Sequence, residues 1–249
     1  MLQKRLRPVL LLCDGMLAKT QKFKRPCYIG DPVNTIRIFN ELEVDEIIVL
    51  DISRNRKVPE FEILQEIARE CFIPLSYGGS VNSLETAEKI FALGYEKIIL
   101  NTAAINNPSI ISEISNKFGS QATVVSIDYK KSLIWGTKVY ADSGRKRTPL
   151  DPIPWALKCQ ENGAGEILIT SIDHEGCWKG LDVDLAIRLR KSLRIPLICH
   201  GGVPNISYVE NLFFETQINA VGVGNLVVYQ KQGMGVLINY PKNKSIETK

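Results

Sequence analysis

Residues 73–104, IPLSYGGSVNSLETAEKIFALGYEKIILNTAA, decide the fold. A short run with strand character, Ile73 to Tyr77, stops at Gly78-Gly79. Ser83 then stands as a helix N-cap, with Glu85 and Thr86 in the first turn of an amphipathic stretch that ends near Leu93. A second run, Lys97 to Asn101, follows and closes on Asn101-Thr102. Two strands joined through a helix run parallel. The same punctuation recurs later in the chain. Val49-Leu50-Asp51-Ile52, Tyr77-Gly78-Gly79-Ser80 and Leu100-Asn101-Thr102-Ala103 are answered by Ser171-Ile172-Asp173-His174, His200-Gly201-Gly202-Val203 and Val223-Gly224-Asn225-Leu226. The spacing from Asp51 to Gly78 is 27 positions and from Asp173 to Gly201 it is 28; the next intervals are 23 and 24. Three motifs in one order at nearly one spacing imply a duplicated half.

Outward from this unit the alternation continues. Arg7–Leu12, Glu46–Leu50, Ile73–Tyr77, Lys97–Asn101, Thr123–Asp128, Glu166–Ser171, Ile195–Cys199 and Asn219–Val223 read as strands. Helical patterns lie between them. The clearest is Pro59–Cys71, with Phe61, Leu64, Ile67, Ala68 and Cys71 on one face. Asn107-Pro108 and Asp151-Pro152 put proline at a first helical position. Eight such units are the number that closes an α/β, (β/α)8 TIM barrel, here with a two-fold half-barrel repeat. The expected domain is one barrel over residues 1–240, followed by a polar tail, 241–249.

Composition narrows the function. The chain has 249 residues and a formal charge of +4. That balance is too mild for a nucleic-acid binder, although KTQKFKR (19–25) and SGRKR (143–147) are local basic runs that read as solvated loops or as a mobile cover for an anionic substrate. Six scattered cysteines and two histidines, His174 and His200, give neither a disulfide framework nor a zinc set. No metal, no cofactor, no membrane and no nucleic acid are expected, and the location expected is the cytoplasm. Each Gly-Gly and each Asn follows a strand, at the end of the barrel where substrates bind. Backbone N–H groups freed by glycine suit phosphate. The expected phosphate-binding residues are Gly79, Ser80, Asn101 and Thr102 in one half, and Gly176, Gly201, Gly202, Gly224 and Asn225 in the other. A ligand with a phosphate at each end is implied.

The series Asp14-Gly15, Gly30-Asp31-Pro32-Val33, Leu50-Asp51-Ile52, Asn101-Thr102-Ala103-Ala104, Phe118-Gly119-Ser120-Gln121-Ala122 and Gly163-Ala164-Gly165-Glu166-Ile167-Leu168 resembles the cyclase subunit of imidazole glycerol phosphate synthase over nearly the whole length. The resemblance implies a heterodimer with a glutaminase at the N-terminal face of the barrel. Ammonia then crosses the barrel and a doubly phosphorylated ribonucleotide is split and cyclised. It also implies catalytic Asp128 and a loop lysine, Lys19. An ammonia gate of two basic and two acidic residues falls on Arg5, Glu46, Lys97 and Glu166. The family's other catalytic aspartate falls on Leu11, which neither donates nor accepts a proton. Ser80, His200 and Asn225 also depart from the family pattern. His200 reads as a proton carrier for other chemistry or as a satisfied histidine at a strand end.

A kept conduit beside a lost acid resembles a divergent branch associated with surface-polysaccharide clusters. There the subunit passes ammonia to a sugar amidotransferase that forms an acetamidino group on a nucleotide-linked sugar. Two alternatives stand beside it: a genuine cyclase in which Asp14 partners Asp128, and a non-catalytic activator of the glutaminase.

Overall fold

The computed structural model describes residues 4–54, 56–218 and 220–241. Residues 242–249 of the expected tail lie outside them. In order the elements are β1 Arg5–Cys13, β2 Met16–Gln21, β3 Lys24–Gly30, α1 Pro32–Glu41, β4 Ile47–Asp51, α2 Phe61–Glu70, β5 Leu75–Gly78, α3 Leu84–Ala92, β6 Lys97–Leu100, α4 Thr102–Asn106, α5 Ser109–Phe118, β7 Thr123–Ser132, β8 Gly136–Ala141, β9 Lys146–Arg147, α6 Pro152–Glu161, β10 Glu166–Ser171, α7 Val183–Ser192, β11 Leu197–His200, α8 Ile206–Glu215, β12 Ala220–Val223 and α9 Asn225–Val228. All eight expected strands are present among the described residues; Asn219, expected to open the last, lies outside them. The parallel order β10-β11-β12-β1-β4-β5-β6-β7 closes through β7–β10, where Val125 pairs Ile167 and Asp128 pairs Thr170. The fold is a (β/α)8 barrel.

Local sequence accounts for the helices. Ser83 Oγ accepts the Thr86 N–H at 3.2 Å, and Asp31 caps α1 by accepting from Asn34 at 2.8 Å, with Pro32 at the first helical position. Their buried stripes, such as Leu64 and Ile67 on α2, pack on the outer faces of the strands in one continuous core. Alternation along each strand sends the other residues into the lumen. Val9, Ile48, Ile99, Val124, Leu168, Ile198 and Ala220 meet there as a separate apolar layer. Two positions below it come Arg7, Glu46, Lys97 and Glu166. Two positions above it come Leu11, Leu50, Ser126, Thr170 and His200, so the lumen is charged at the bottom, apolar in the middle and polar at the top.

The two basic runs, expected as loops or as a cover, lie in hairpins, with 22–23 and 143–145 in their turns. They belong to antiparallel ribbons on the top face: β2–β3 extends from β1, and β8–β9 extends from β7. Asp14 and Gly15, at φ 50° and 80°, form the two-residue turn between Cys13 and Met16. Asp-Gly favours this turn because both positions need positive φ.

Candidate active site

Asp128 stands on β7 at the top of the lumen. Asn101 Nδ2 donates to its Oδ2 at 3.0 Å, and Ser126 Oγ lies 3.5 Å from Oδ1. Burial pushes its carboxyl up to about 7; the Ser126 and Asn101 hydrogen bonds oppose the rise and the Glu175 charge adds to it. A carboxyl poised there can give or take a proton at neutral pH. The raised value has a stability consequence. Below the ordinary 3.8 the group is protonated whether the chain is folded or not, while between 3.8 and about 7 only the folded chain holds the proton. Stability therefore falls as pH rises across that window. Asp128→Asn should be more stable than the native chain at pH 8, by up to about 4 kcal/mol at about 1.4 kcal/mol per unit, and level with it at pH 4. Urea melts at the two pH values check this, and an equal difference at both would refute the buried, proton-holding carboxyl.

The β2–β3 ribbon lies across the mouth beside it. Lys22 and Phe23, both non-glycine, sit at φ 55° and 60° in the connecting turn, a conformation costing roughly 1–2 kcal/mol per residue. Glu175 holds this turn: its carbonyl accepts the Lys22 N–H at 2.9 Å and its Oε2 the Phe23 N–H at 3.1 Å. The ribbon carries Lys19 inward. That lysine is only 4% exposed, and it lines a pocket with Glu175, Gly176, His200, Gly202, Gly224 and Asn225. A Cβ at Gly224 would collide with Lys19 Nζ. Desolvation pulls the lysine below its ordinary range, and Glu175 partly restores it. The pocket is a small recess lined by a lysine, a carboxylate, an imidazole and glycine backbone, so it suits one polar end of a ligand rather than a whole one.

The structure thus joins most of the second-half phosphate residues around Lys19. Gly176 has a structural duty as well, since a Cβ there would strike the Thr20 carbonyl of the ribbon. The first-half set stands apart. Asn101 spends its amide on Asp128 and the Ser126 carbonyl, Thr102 Oγ1 accepts the Asp142 N–H at 2.9 Å, and Ser80 Oγ donates to the Arg56 carbonyl at 2.9 Å. His200 is an inward, buried group whose Nδ1 lies 3.3 Å from Thr170 Oγ1. Desolvation first, and then Lys19, push it down to about 3, so it is neutral at pH 7 and no ready base. Asp14, the alternative partner for Asp128, is exposed in the β1–β2 turn, its N–H donated to Ser53 Oγ at 2.8 Å. That placement removes it from the lumen. Glu175 was missed in the sequence, where one acidic residue beside Gly176 carries no distinctive spacing.

At the bottom of the lumen, Lys97 Nζ lies 3.0 Å from Glu46 and 3.2 Å from Glu166. The fourth member is Arg7, 3.2 Å from Glu46 and 2.8 Å from Glu166. Arg5, the expected member, is not the residue that makes these contacts. Val9 is in register with Ile48, which sets Arg7, two residues earlier, level with Glu46; Arg5 falls one inward step lower. Both contacts of Arg7 satisfy ion-pair distance, yet its Nε and Nη1 meet no acceptor in hydrogen-bond geometry. The guanidinium is held chiefly by charge. Desolvation opposes its charge, but Glu166 and Glu46 outweigh it and raise the group above its ordinary range.

The sequence that builds this barrel matches known proteins. A family model described as histidine biosynthesis protein matches residues 5–233. The chain belongs to that family. Among its relatives, a Pseudomonas aeruginosa protein provisionally named imidazole glycerol phosphate synthase subunit hisF2 is 46% identical over 243 residues, 97% of each chain. The imidazole glycerol phosphate synthase subunit HisF of Chlorobium phaeobacteroides is 36% identical over 252 residues, the full length of both. This histidine biosynthesis family member has Asp128 and Lys19 at its mouth, a four-charge ring at its floor, and Leu11, 5% exposed, on the inward face of β1. No helix among the described residues is long and apolar enough to cross a membrane.

Proposed function

We propose that this chain takes ammonia from a glutaminase bound at the bottom of its barrel and releases it at the top to a second enzyme, which amidates a nucleotide-linked sugar for surface polysaccharide. The observation that carries the reading is the lumen itself. A ring of balanced charge opens onto an apolar layer, and such a layer admits neutral ammonia while charging several kcal/mol for an ion. Above it, Leu11 occupies the inward position where the resemblance calls for the catalytic aspartate. A conduit retained without its acid fits delivery better than cyclisation. Lys19, Gly201, Gly202, Gly224 and Asn225 remain the proposed seat of one phosphoryl group of a ligand at the mouth.

Two exposed phenylalanines support a partner below. Phe72, between α2 and β5, and Phe214, in the last turn of α8, are 85% and 89% exposed. Both lie where helices return the chain to strands, which is the face beneath the charged ring. Burying each contributes about 1.5–3 kcal/mol. The glutaminase subunit of an imidazole glycerol phosphate synthase should bind the native chain and hydrolyse glutamine faster when bound. The pair Phe72→Ser with Phe214→Ser should weaken binding at least tenfold in calorimetric titration. Absence of binding, or equal affinity without both rings, would remove the glutaminase from the account.

A further inference from the structure

β7 carries Asp128 at the barrel mouth and runs on to Ser132, where it turns into β8 through Leu133, Ile134 and Trp135. Those three side chains are 108%, 81% and 57% exposed. A run of three large apolar residues standing in water at a ribbon tip is an unusual use of surface. The tip is also built rigidly. Ser132 Oγ accepts the N–H groups of Ile134 and Trp135, each at 3.3 Å, and five residue pairs from Asp128–Tyr140 to Ser132–Gly136 zip the ribbon beneath. Arg147 stacks on the Trp135 ring at 4.1 Å and Lys130 on Tyr140 at 4.6 Å. A preordered tryptophan beside arginine loses little freedom when a partner covers it.

Charge identifies the kind of partner. Residues 129–151 hold six basic and two acidic side chains, a surplus equal to the +4 of the whole chain. On the other top-face ribbon Lys22, Lys24 and Arg25 are exposed, with no acidic residue between 16 and 30. A second copy of this chain would meet like charge and is disfavoured. The tip lies five residues beyond Asp128, about 17 Å at 3.4 Å per residue, so whatever docks there overlooks the mouth.

We propose that the β7–β8 tip docks the ammonia-accepting enzyme, its Leu133, Ile134 and Trp135 entering an apolar socket rimmed by acidic residues. This rests on the delivery reading above. The test places p-benzoylphenylalanine at Ile134, and separately at Phe72 on the opposite face, in the full chain expressed in its source organism. After irradiation, the adduct at 134 should contain an ammonia-consuming enzyme absent from the adduct at 72. That enzyme, purified, should bind the native chain, and Leu133→Ser with Trp135→Ser should weaken it at least tenfold. Lys146→Glu, or 0.5 M salt, should weaken it severalfold, while glutaminase activation stays unchanged. An adduct with the chain itself, with lipid, or with no protein overturns the proposal, as does equal affinity of the double variant. If the chain instead cyclises the ribonucleotide of its family, the delivery reading fails on separate grounds, whatever the tip binds.

Discussion

Leu11→Asp should raise turnover of the family's doubly phosphorylated ribonucleotide, with ammonium salt as nitrogen source, by about 10²–10⁴-fold over the native chain. The reasoning is geometric. Leu11 points into the lumen above the apolar layer and pairs in register with Leu50, at the level where a carboxylate could face substrate. Burial holds Asp128 at about 7, and on the proposed reading it supplies one member of an acid–base pair whose other position is filled by a hydrocarbon. The substitution gives up burial worth about 1.5–3 kcal/mol, which a thermal melt on the same sample would register. A folded variant whose turnover equals that of the native chain would show that residue 11 does not limit the chemistry.

Arg7→Ala should cost about 3–5 kcal/mol and, if the lumen carries ammonia as proposed, let it escape from the glutaminase complex before delivery. Removing one partner from a buried ion set leaves an uncompensated charge, and that penalty exceeds what the intact pair contributed. Here Glu46 and Glu166 would retain only Lys97, beneath an apolar layer. Arg7→Met combined with Glu166→Gln restores the balance and should recover most of the stability, though not the floor of the conduit. Acid adds an independent check. Burial raises Glu166, but the charges of Arg7 and Lys97 more than reverse it and hold the group below its ordinary 4.5. Its contribution is therefore complete above about pH 4.5 and lost as pH falls below that. Arg7→Ala should flatten this acid limb of the stability curve. An Arg5→Ala variant with the larger effect on both readouts would return the floor to Arg5.

The barrel was legible because its signals are periodic: Gly-Gly and Asn recur at matched spacing, and each strand is flanked by an amphipathic stretch. The floor was legible as four charges at strand starts, but not its membership. Arg5 and Arg7 share a face, and only the register of Val9 with Ile48 decides which one is level with Glu46. The ribbons were missed for a different reason. Asp14-Gly15 is a hairpin turn signal, yet the following strand, MLAKTQ, has no strict alternation, and the next turn, Lys22-Phe23, contains no residue suited to positive φ. That turn depends on Glu175, more than 150 positions away, so local sequence carries no trace of it. Leu133-Ile134-Trp135 had no place in the periodic reading for a related reason: exposure, unlike hydrophobicity, is decided by the fold.

The most direct measurement follows the nitrogen. The native chain in complex with its glutaminase is given glutamine as sole nitrogen source together with the doubly phosphorylated ribonucleotide. Delivery without cyclisation predicts glutamate and free ammonia in equal amounts and no imidazole glycerol phosphate. Imidazole product formed mole for mole with glutamate would contradict the account and make this chain a working cyclase despite Leu11.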